Sequence, residues 1–266
     1  MNGLKSGIIE TLQTDPSMYT LSDWHSRFQQ QAQWTSQLRR YLYTRVNIQQ
    51  SGKILDIGCG TGVLEAELHQ FTPAAITAVD IDHQSISFAA RFSSAGWTCA
   101  DAACLPYPSY TFDIALCHYL LLWLKAPVAA LSEMKRVTRP GGHILLLAEP
   151  DYAHRIDYPT ELSEPGALQR NSLLQQGANP DIGSTIGSLL SQAGVEVMET
   201  GLSGGSWQPA IENDDTNLEW QMLIEDLQLL TDKSTLAVWK KKDILARLSG
   251  TRILFIPVFY AIGRVP

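Results

Sequence analysis

Between residues 52 and 147 short aliphatic runs alternate with amphipathic stretches. The runs are "KILDIG" (53–58), "AITAVDI" (75–81), "WTCADA" (97–102), "FDIALCHYL" (112–120) and "GHILLLAE" (142–149). Nearly continuous apolar strands of this kind are buried on both faces, as crossover helices bury a parallel sheet. Leu64–Leu68, Gln84–Phe92 and Val128–Val137 carry the apolar spacing of the intervening helices. "TRPGGH" (138–143) predicts a turn that ends the last of these helices and launches the next strand.

The flanks read differently. From about Ser22 to Val46 the positions Trp24, Phe28, Ala32, Thr35, Leu38, Leu42 and Val46 fall on one helical stripe. After the core come two more strand candidates, "GVEVMETGLS" (194–203) and "RILFIPVFYAIGRV" (252–265). Two helices are predicted between them, Asp215–Leu230 with Leu218, Met222, Leu223 and Leu227, and Ser234–Leu248 with Leu236, Ile244, Leu245 and Leu248. The expected organisation is an N-terminal helical cap at 1–48 and an α/β domain at 49–266. A helical insertion at 204–250 would cover one end of the sheet.

Composition narrows the class. A chain of 266 residues with 45% hydrophobic positions has material for one large core. A net charge of −7 argues against a nucleic-acid partner, which needs a basic surface. The basic run Lys240-Lys241-Lys242 reads as the solvated face of a helix. Cys59, Cys99, Cys104 and Cys117 show no metal-ligand spacing, so free thiols in a reducing compartment and no metal are expected. The first residues lack a signal-peptide pattern, and the longest apolar stretch, around Ile114–Leu124, is too short to span a bilayer. The expectation is a cytoplasmic protein with no membrane partner.

The chemistry starts at "LDIGCGTG" (55–62), where a strand must turn sharply into a helix. Gly58, Gly60 and Gly62 permit backbone angles closed to other residues and let a ligand lie against the main chain. A dinucleotide site wants a third Gly three residues after the second, and those positions hold Val63 or Glu65. Asp56, just before the glycines, suits holding the loop or meeting an ammonium group, and would repel a pyrophosphate. "VDID" (79–82) ends the second strand, where Asp80 suits a grip on ribose hydroxyls. "ADA" (100–102) ends the third, where Asp101 suits an adenine amine. Three acids at consecutive strand ends outline a pocket for a cationic nucleoside amino acid.

"LDIGCGTG", "VDID", "DAACLPYPSYTFD" and "RVTRPGGHILLLAEP" together resemble the successive motifs of class I S-adenosylmethionine-dependent methyltransferases. The third mirrors the "DA-x-x-LP-[FY]-P-x-x-[ST]-FD" pattern of the small-molecule branch, and the resemblance covers about residues 50–150. It implies a Rossmann-like, mostly parallel sheet of seven strands with helices on both faces and the last strand antiparallel. It also implies S-adenosylmethionine as cofactor. Gly58, Gly60 and Gly62 would pack on its methionine part, Asp80 would hold the ribose, Ile81 would stack on the adenine, and Asp101 with Ala102 would read the adenine edge. The sequence departs from the family at Cys117 and His118, where small or amide residues are common near the reactive methyl. His118 reads either as a satisfied core histidine or as a cofactor-facing group. Regions 1–48 and 204–250 resemble no substrate-specific subfamily.

"AEPDYAHRIDYPTEL" (148–162) leaves the carboxyl end of the fifth strand, where parallel sheets bind their ligands. Glu149, Asp151, Tyr152, His154, Arg155, Asp157 and Tyr158 crowd that acceptor side, with internal ion pairs such as Arg155–Asp157 as the plain alternative. Tyr152, His154 and Arg155 are the catalytic candidates: Tyr152 by position, His154 as a base near neutral pH, Arg155 as an anion clamp or a loop tie. Trp24, Trp34, Trp207 and Trp220 suggest an apolar pocket. The expected activity is methyl transfer to an oxygen, nitrogen or carbon of a small molecule. The alternatives are an enzyme that cyclises or cleaves the cofactor's aminobutyrate arm, a non-catalytic binder of the cofactor, and a nicotinamide-dependent oxidoreductase.

Overall fold

In a computed structural model of the chain, residues 20–204, 214–228 and 230–266 are described. Helices α1 (Leu21–Trp34) and α2 (Ser36–Arg45) precede β1 (Lys53–Ile57), α3 (Val63–Phe71), β2 (Ala75–Asp80), α4 (His83–Ala89), β3 (Gly96–Cys99) and β4 (Phe112–Cys117). The chain continues through α5 (Pro127–Val137), β5 (Thr138–Pro150), β6 (Ile156–Tyr158), α6 (Ser163–Gln175), α7 (Ile186–Gln192) and β7 (Glu196–Ser203). It closes with α8 (Asp214–Leu227), α9 (Lys233–Leu248), β8 (Ile253–Phe255) and β9 (Val258–Arg264).

Seven strands form one sheet in the order β3-β2-β1-β4-β5-β9-β7. β1 to β5 pair in parallel, and β9 runs antiparallel to both its neighbours, with Leu145 opposite Ile262 and Thr200 opposite Ala261. The strand order reverses between β1 and β4, which opens a crevice at their carboxyl ends. Alternate strand residues supply two cores, one on each face. Leu55, Ile57, Ala115, Cys117, Ile144 and Leu146 pack with Leu131 and Met134 of α5 and with Ile186 and Leu190 of α7. Ile54, Ile114, Leu116, Leu145 and Leu147 pack with Leu38 and Leu42 of α2 and with Leu64 and Leu68 of α3.

The helical and strand pattern of 52–147 forms as its apolar spacing predicts, and four local features differ. The long N-terminal helix breaks at Thr35, whose hydroxyl donates to the Ala32 carbonyl (3.3 Å) while buried Arg39 donates to that same carbonyl and to Thr35 Oγ1 (2.7 Å each). "TRPGGH" is the first part of β5 rather than a turn: Thr138 already pairs with Phe112, and an irregularity in register follows. The segment 252–265 is two strands, interrupted at Ile256-Pro257, where proline has no N–H to donate to a ladder. Its first part, β8, pairs with β6, so the stretch after β5 contains a strand. Helix α6 carries no strong periodic signal; Pro165 and Gly166 sit in its first turn, and its buried positions are Pro165, Gly166 and Ser172. Among the described residues no helix is long and apolar enough to cross a membrane. All four cysteines are free, and no cluster able to hold a metal occurs among the described residues.

Candidate active site

At the end of β1 the backbone enters the left-handed region at Gly58 (φ +74°) and again at Gly62 (φ +78°). A Cβ on Gly58 would lie 2.7 Å from Leu120 Cδ1, so the bare α-carbon lets the turn after β4 close over the loop. A Cβ on Gly62 would lie 2.8 Å from both Ala89 Cβ and Trp97 Cη2. Gly58 and Gly60 therefore border the cavity described below, while the bare face of Gly62 is turned to α4 and β3. Asp80 holds the loop in place: its Oδ2 accepts from the Gly60 N–H (2.7 Å) and its Oδ1 from the Asp82 N–H (2.9 Å). Burial raises the Asp80 carboxyl above its usual range, and the two N–H donors work against that. Asp101 accepts from the Ala103 N–H (2.8 Å), beside half-exposed Ile81 and buried Ala102. Asp56 lies beneath the loop beside Glu65, both buried. Burial first, and then Glu65, pushes the Asp56 carboxyl well above the ordinary range, and burial takes Glu65 up to about 7. Two buried carboxyls in contact do not both ionise, so the pair retains a proton at neutral pH.

These groups open on one cavity of about 1270 Å³ at the carboxyl ends of the strands. Gly58, Gly60, Asp56, Asp80, Ile81, Asp101 and Ala102 line one end, α6, α8 and α9 close the other, and α1 also lies against the glycine loop, with His25 Nδ1 2.9 Å from Thr61 Oγ1. His118 lines the wall between, half-buried, with Nε2 2.8 Å from Thr35 Oγ1. Burial, and then the charge of Arg39, lowers its pKa to about 3, so the ring is neutral. The ring is hydrogen-bonded to Thr35 and also lines the cavity. The next residue, Tyr119, adopts φ +54°, rare for an aromatic residue, and its N–H donates to the Ala148 carbonyl (2.9 Å).

Glu149 explains how that turn is held. Its carboxyl, at the end of β5, accepts the N–H groups of Leu120 (3.0 Å), Leu121 (2.9 Å) and Leu122 (3.3 Å). Burial takes its pKa up to about 7 against those donors. With Glu149 and Glu65 both titrating near 7 in the fold and near 4.5 when unfolded, the native state binds more protons between those values. Stability is therefore expected to be full below about pH 4.5 as far as these groups are concerned, and to fall as pH rises through 7. Glu149→Gln should flatten that slope in urea titrations at pH 5, 6 and 7. Glu149→Ala, which strands three buried donors, should cost about 2 kcal/mol.

The sequence of residues 55–146 matches the family described as "Methyltransferase domain". That match spans about a third of the chain and covers the strands and the glycine loop that line the acidic end of the cavity. The chain is 29% identical over 153 residues to an uncharacterised methyltransferase of Schizosaccharomyces pombe, covering 52% of this chain and 55% of that one. It is 32% identical over 125 residues to the ubiquinone/menaquinone biosynthesis C-methyltransferase UbiE of Desulfotalea psychrophila, covering 46% and 51%. The chain thus spans about half the length of the curated relatives it matches. The crystal structure of the [4+2]-cyclase SpnF superposes with a TM-score of 0.56 at 19% identity, covering 86% of this chain and 81% of that one, which places the fold.

Outside the matched residues, further segments border the cavity. In the stretch after β5 the structure separates the three catalytic candidates. Tyr152 lines the cavity, and burial takes its hydroxyl up to about 12. Arg155 also borders it, but its guanidinium is spent on Asp157 (2.6 Å) and Gln169 (2.9 Å), the loop tie rather than an open clamp. His154 is not among the cavity residues: its side chain is 64% exposed and bonded to Asp151, which is itself fixed by the Ser184 N–H (3.0 Å). Trp24, Trp34 and Trp220 line the cavity; Trp207 lies outside the described residues. The sequence reading left out Gln169 and the Arg27–Asp226 ion pair (2.8 Å), which joins α1 to α8. Their partners are remote in sequence, so no local spacing marks them.

Proposed function

We propose that the chain transfers the methyl group of S-adenosylmethionine to a small molecule held under its helical cap. The carrying observation is a single cavity with two chemically different ends, larger than the roughly 300–1,000 Å³ of a one-ligand site. The acidic end fits the cofactor on two counts. Asp56 Oδ2 is buried with no hydrogen-bond partner, and the carboxylates of Asp80, Asp82 and Asp101 border the space where a cation would sit. In this reading Asp80 holds the ribose, Ile81 lies against the adenine, Asp101 with Ala102 meets its edge, and Gly58 and Gly60 pack on the methionine part. When bound, the cofactor supplies an activated methyl on a sulfonium. The protein's own contribution is alignment and exclusion of water, because an in-line displacement that disperses charge needs position more than proton transfer. The described parts of 1–48 and of the insertion at 204–250 act as the cap that selects the acceptor.

Asp80→Ala removes the ribose grip and should weaken S-adenosylmethionine binding at least about tenfold by calorimetry. Unchanged affinity in a folded variant would remove the assignment. A second reading, cyclisation of a substrate with the cofactor left intact, is favoured by the fold shared with the [4+2]-cyclase SpnF. Mass spectrometry of the products separates the outcomes: S-adenosylhomocysteine marks methyl transfer, methylthioadenosine marks chemistry on the cofactor's arm, and an unchanged cofactor marks such a cyclisation or a binding role.

A further inference from the structure

We propose that the acceptor is an uncharged, predominantly apolar molecule of aromatic-ring size or larger. This rests on the methyl-transfer reading only in treating the capped end of the cavity as the acceptor's. Four arginines border that end, Arg27, Arg155, Arg247 and Arg252, and each is matched to a carboxylate. Arg27 meets Asp226 at 2.8 Å, Arg155 meets Asp157 at 2.6 Å, and Arg252 bridges Asp157 (2.8 Å) and Asp243 (2.5 Å). Arg247 bridges Asp243 and Glu219, at 2.8 Å each. Among the described residues, four guanidiniums therefore face four acids, Asp157, Glu219, Asp226 and Asp243, and their charges balance.

The side chains of Arg155, Arg252, Asp157 and Asp243 are all at most 7% exposed, so these pairs are drawn out of water. An anionic acceptor would have to pull a guanidinium from its buried partner, and a cationic one would have to pull away a carboxylate. Breaking such a pair strands a buried charge, which costs far more than a new surface-like contact returns. The remaining wall is built for a neutral guest: Trp24, Tyr152, Leu173, Trp220 and Leu223 present aromatic and aliphatic surface. His118, the imidazole on this cavity, is committed to Thr35 and offers no positive charge to an acid. The acidic end, by contrast, carries carboxylates without matching arginines, so the two ends discriminate by charge: a cation at one, a neutral molecule at the other.

The test is calorimetric binding of three probes of one shape, 2-naphthol, 2-naphthoate and 2-naphthylmethylammonium, to the full chain saturated with S-adenosylhomocysteine. The neutral probe should bind at least about tenfold more tightly than either ion. Equal or tighter binding of an ion overturns the proposal, as does failure of 2-naphthol to bind. Asp157→Asn, which keeps the side-chain shape but removes one negative charge, should shift the naphthoate-to-naphthol affinity ratio toward naphthoate by about fivefold or more in protein that melts cooperatively. An unchanged ratio in that variant would show that the arginines do not govern the acceptor's charge. If S-adenosylhomocysteine itself does not bind, the cofactor reading fails, and the probe preference measured on the protein alone still decides this one.

Discussion

Replacing Asp243 with alanine should destabilise the fold by about 3–5 kcal/mol, the scale of stripping one partner from a buried ionic cluster. Asp243 is 1% exposed and accepts from Trp220 Nε1 (2.8 Å), Arg247 Nε (2.8 Å) and Arg252 Nε (2.5 Å). Burial alone would raise its carboxyl; the Trp220 N–H and the two arginines outweigh that and hold it below the usual range. The acid thus contributes stability that is present above its unfolded pKa and lost as pH falls through its lowered folded value. The loss should appear as a fall of about 10 °C in melting temperature at pH 7. The gap between wild type and variant should narrow on acidification below about pH 4. A change of only 1–2 °C at neutral pH would mean that the cluster contributes little to the cap.

Tyr152→Ala should lower kcat/KM about a hundredfold, roughly 2.7 kcal/mol, while leaving S-adenosylmethionine affinity within about twofold. Tyr152 follows β5 by two residues, and its N–H is anchored on the Pro180 carbonyl (2.9 Å). It borders the cavity near Tyr119, whose hydroxyl its charge would raise. The ring is therefore a fixed part of the wall, and its loss lets an acceptor shift out of line. His154→Ala is the matched control, two residues on and facing solvent, with an expected change of severalfold at most. If Tyr152→Ala keeps full turnover, the acceptor rests on the helices of the cap instead.

What the chain's pattern made legible is what depends on neighbours in sequence. Gly58, Gly60 and Gly62 all have positive φ because a strand that turns at once into a helix demands it. The acids at the ends of β2 and β3 could be read from their place after apolar runs, since strand ends in a parallel sheet share one edge. Glu149 was legible as a charged group at the end of β5, but its three backbone donors belong to a turn 27–29 residues earlier. His154 looked like a base from its side-chain chemistry, and its direction is set by Asp151 and Ser184, a contact across 33 residues. The ionic cluster of the cap spans longer gaps, with 95 residues between Arg252 and Asp157 and 199 between Arg27 and Asp226. Such pairs leave no period in the sequence. The strand β6 escaped for a similar reason: three residues, Ile156–Tyr158, become a strand only because Ile253–Phe255 returns to meet them.

The position of β9 has a consequence for how the protein is made. β7 has one sheet neighbour, β9, and β5 meets β9 along its free side, so both edges wait on a strand that follows them in the chain. Ser203 ends β7 and Val258 begins β9, a gap of 54 residues. At about 5–20 residues per second, the ribosome delivers the missing strand roughly 3–11 s after β7. During that interval the nascent sheet carries two unpaired edges whose N–H and C=O groups are open templates for another chain. Slowing translation across 204–257 should therefore increase aggregation of the newborn protein without altering the stability of the finished one.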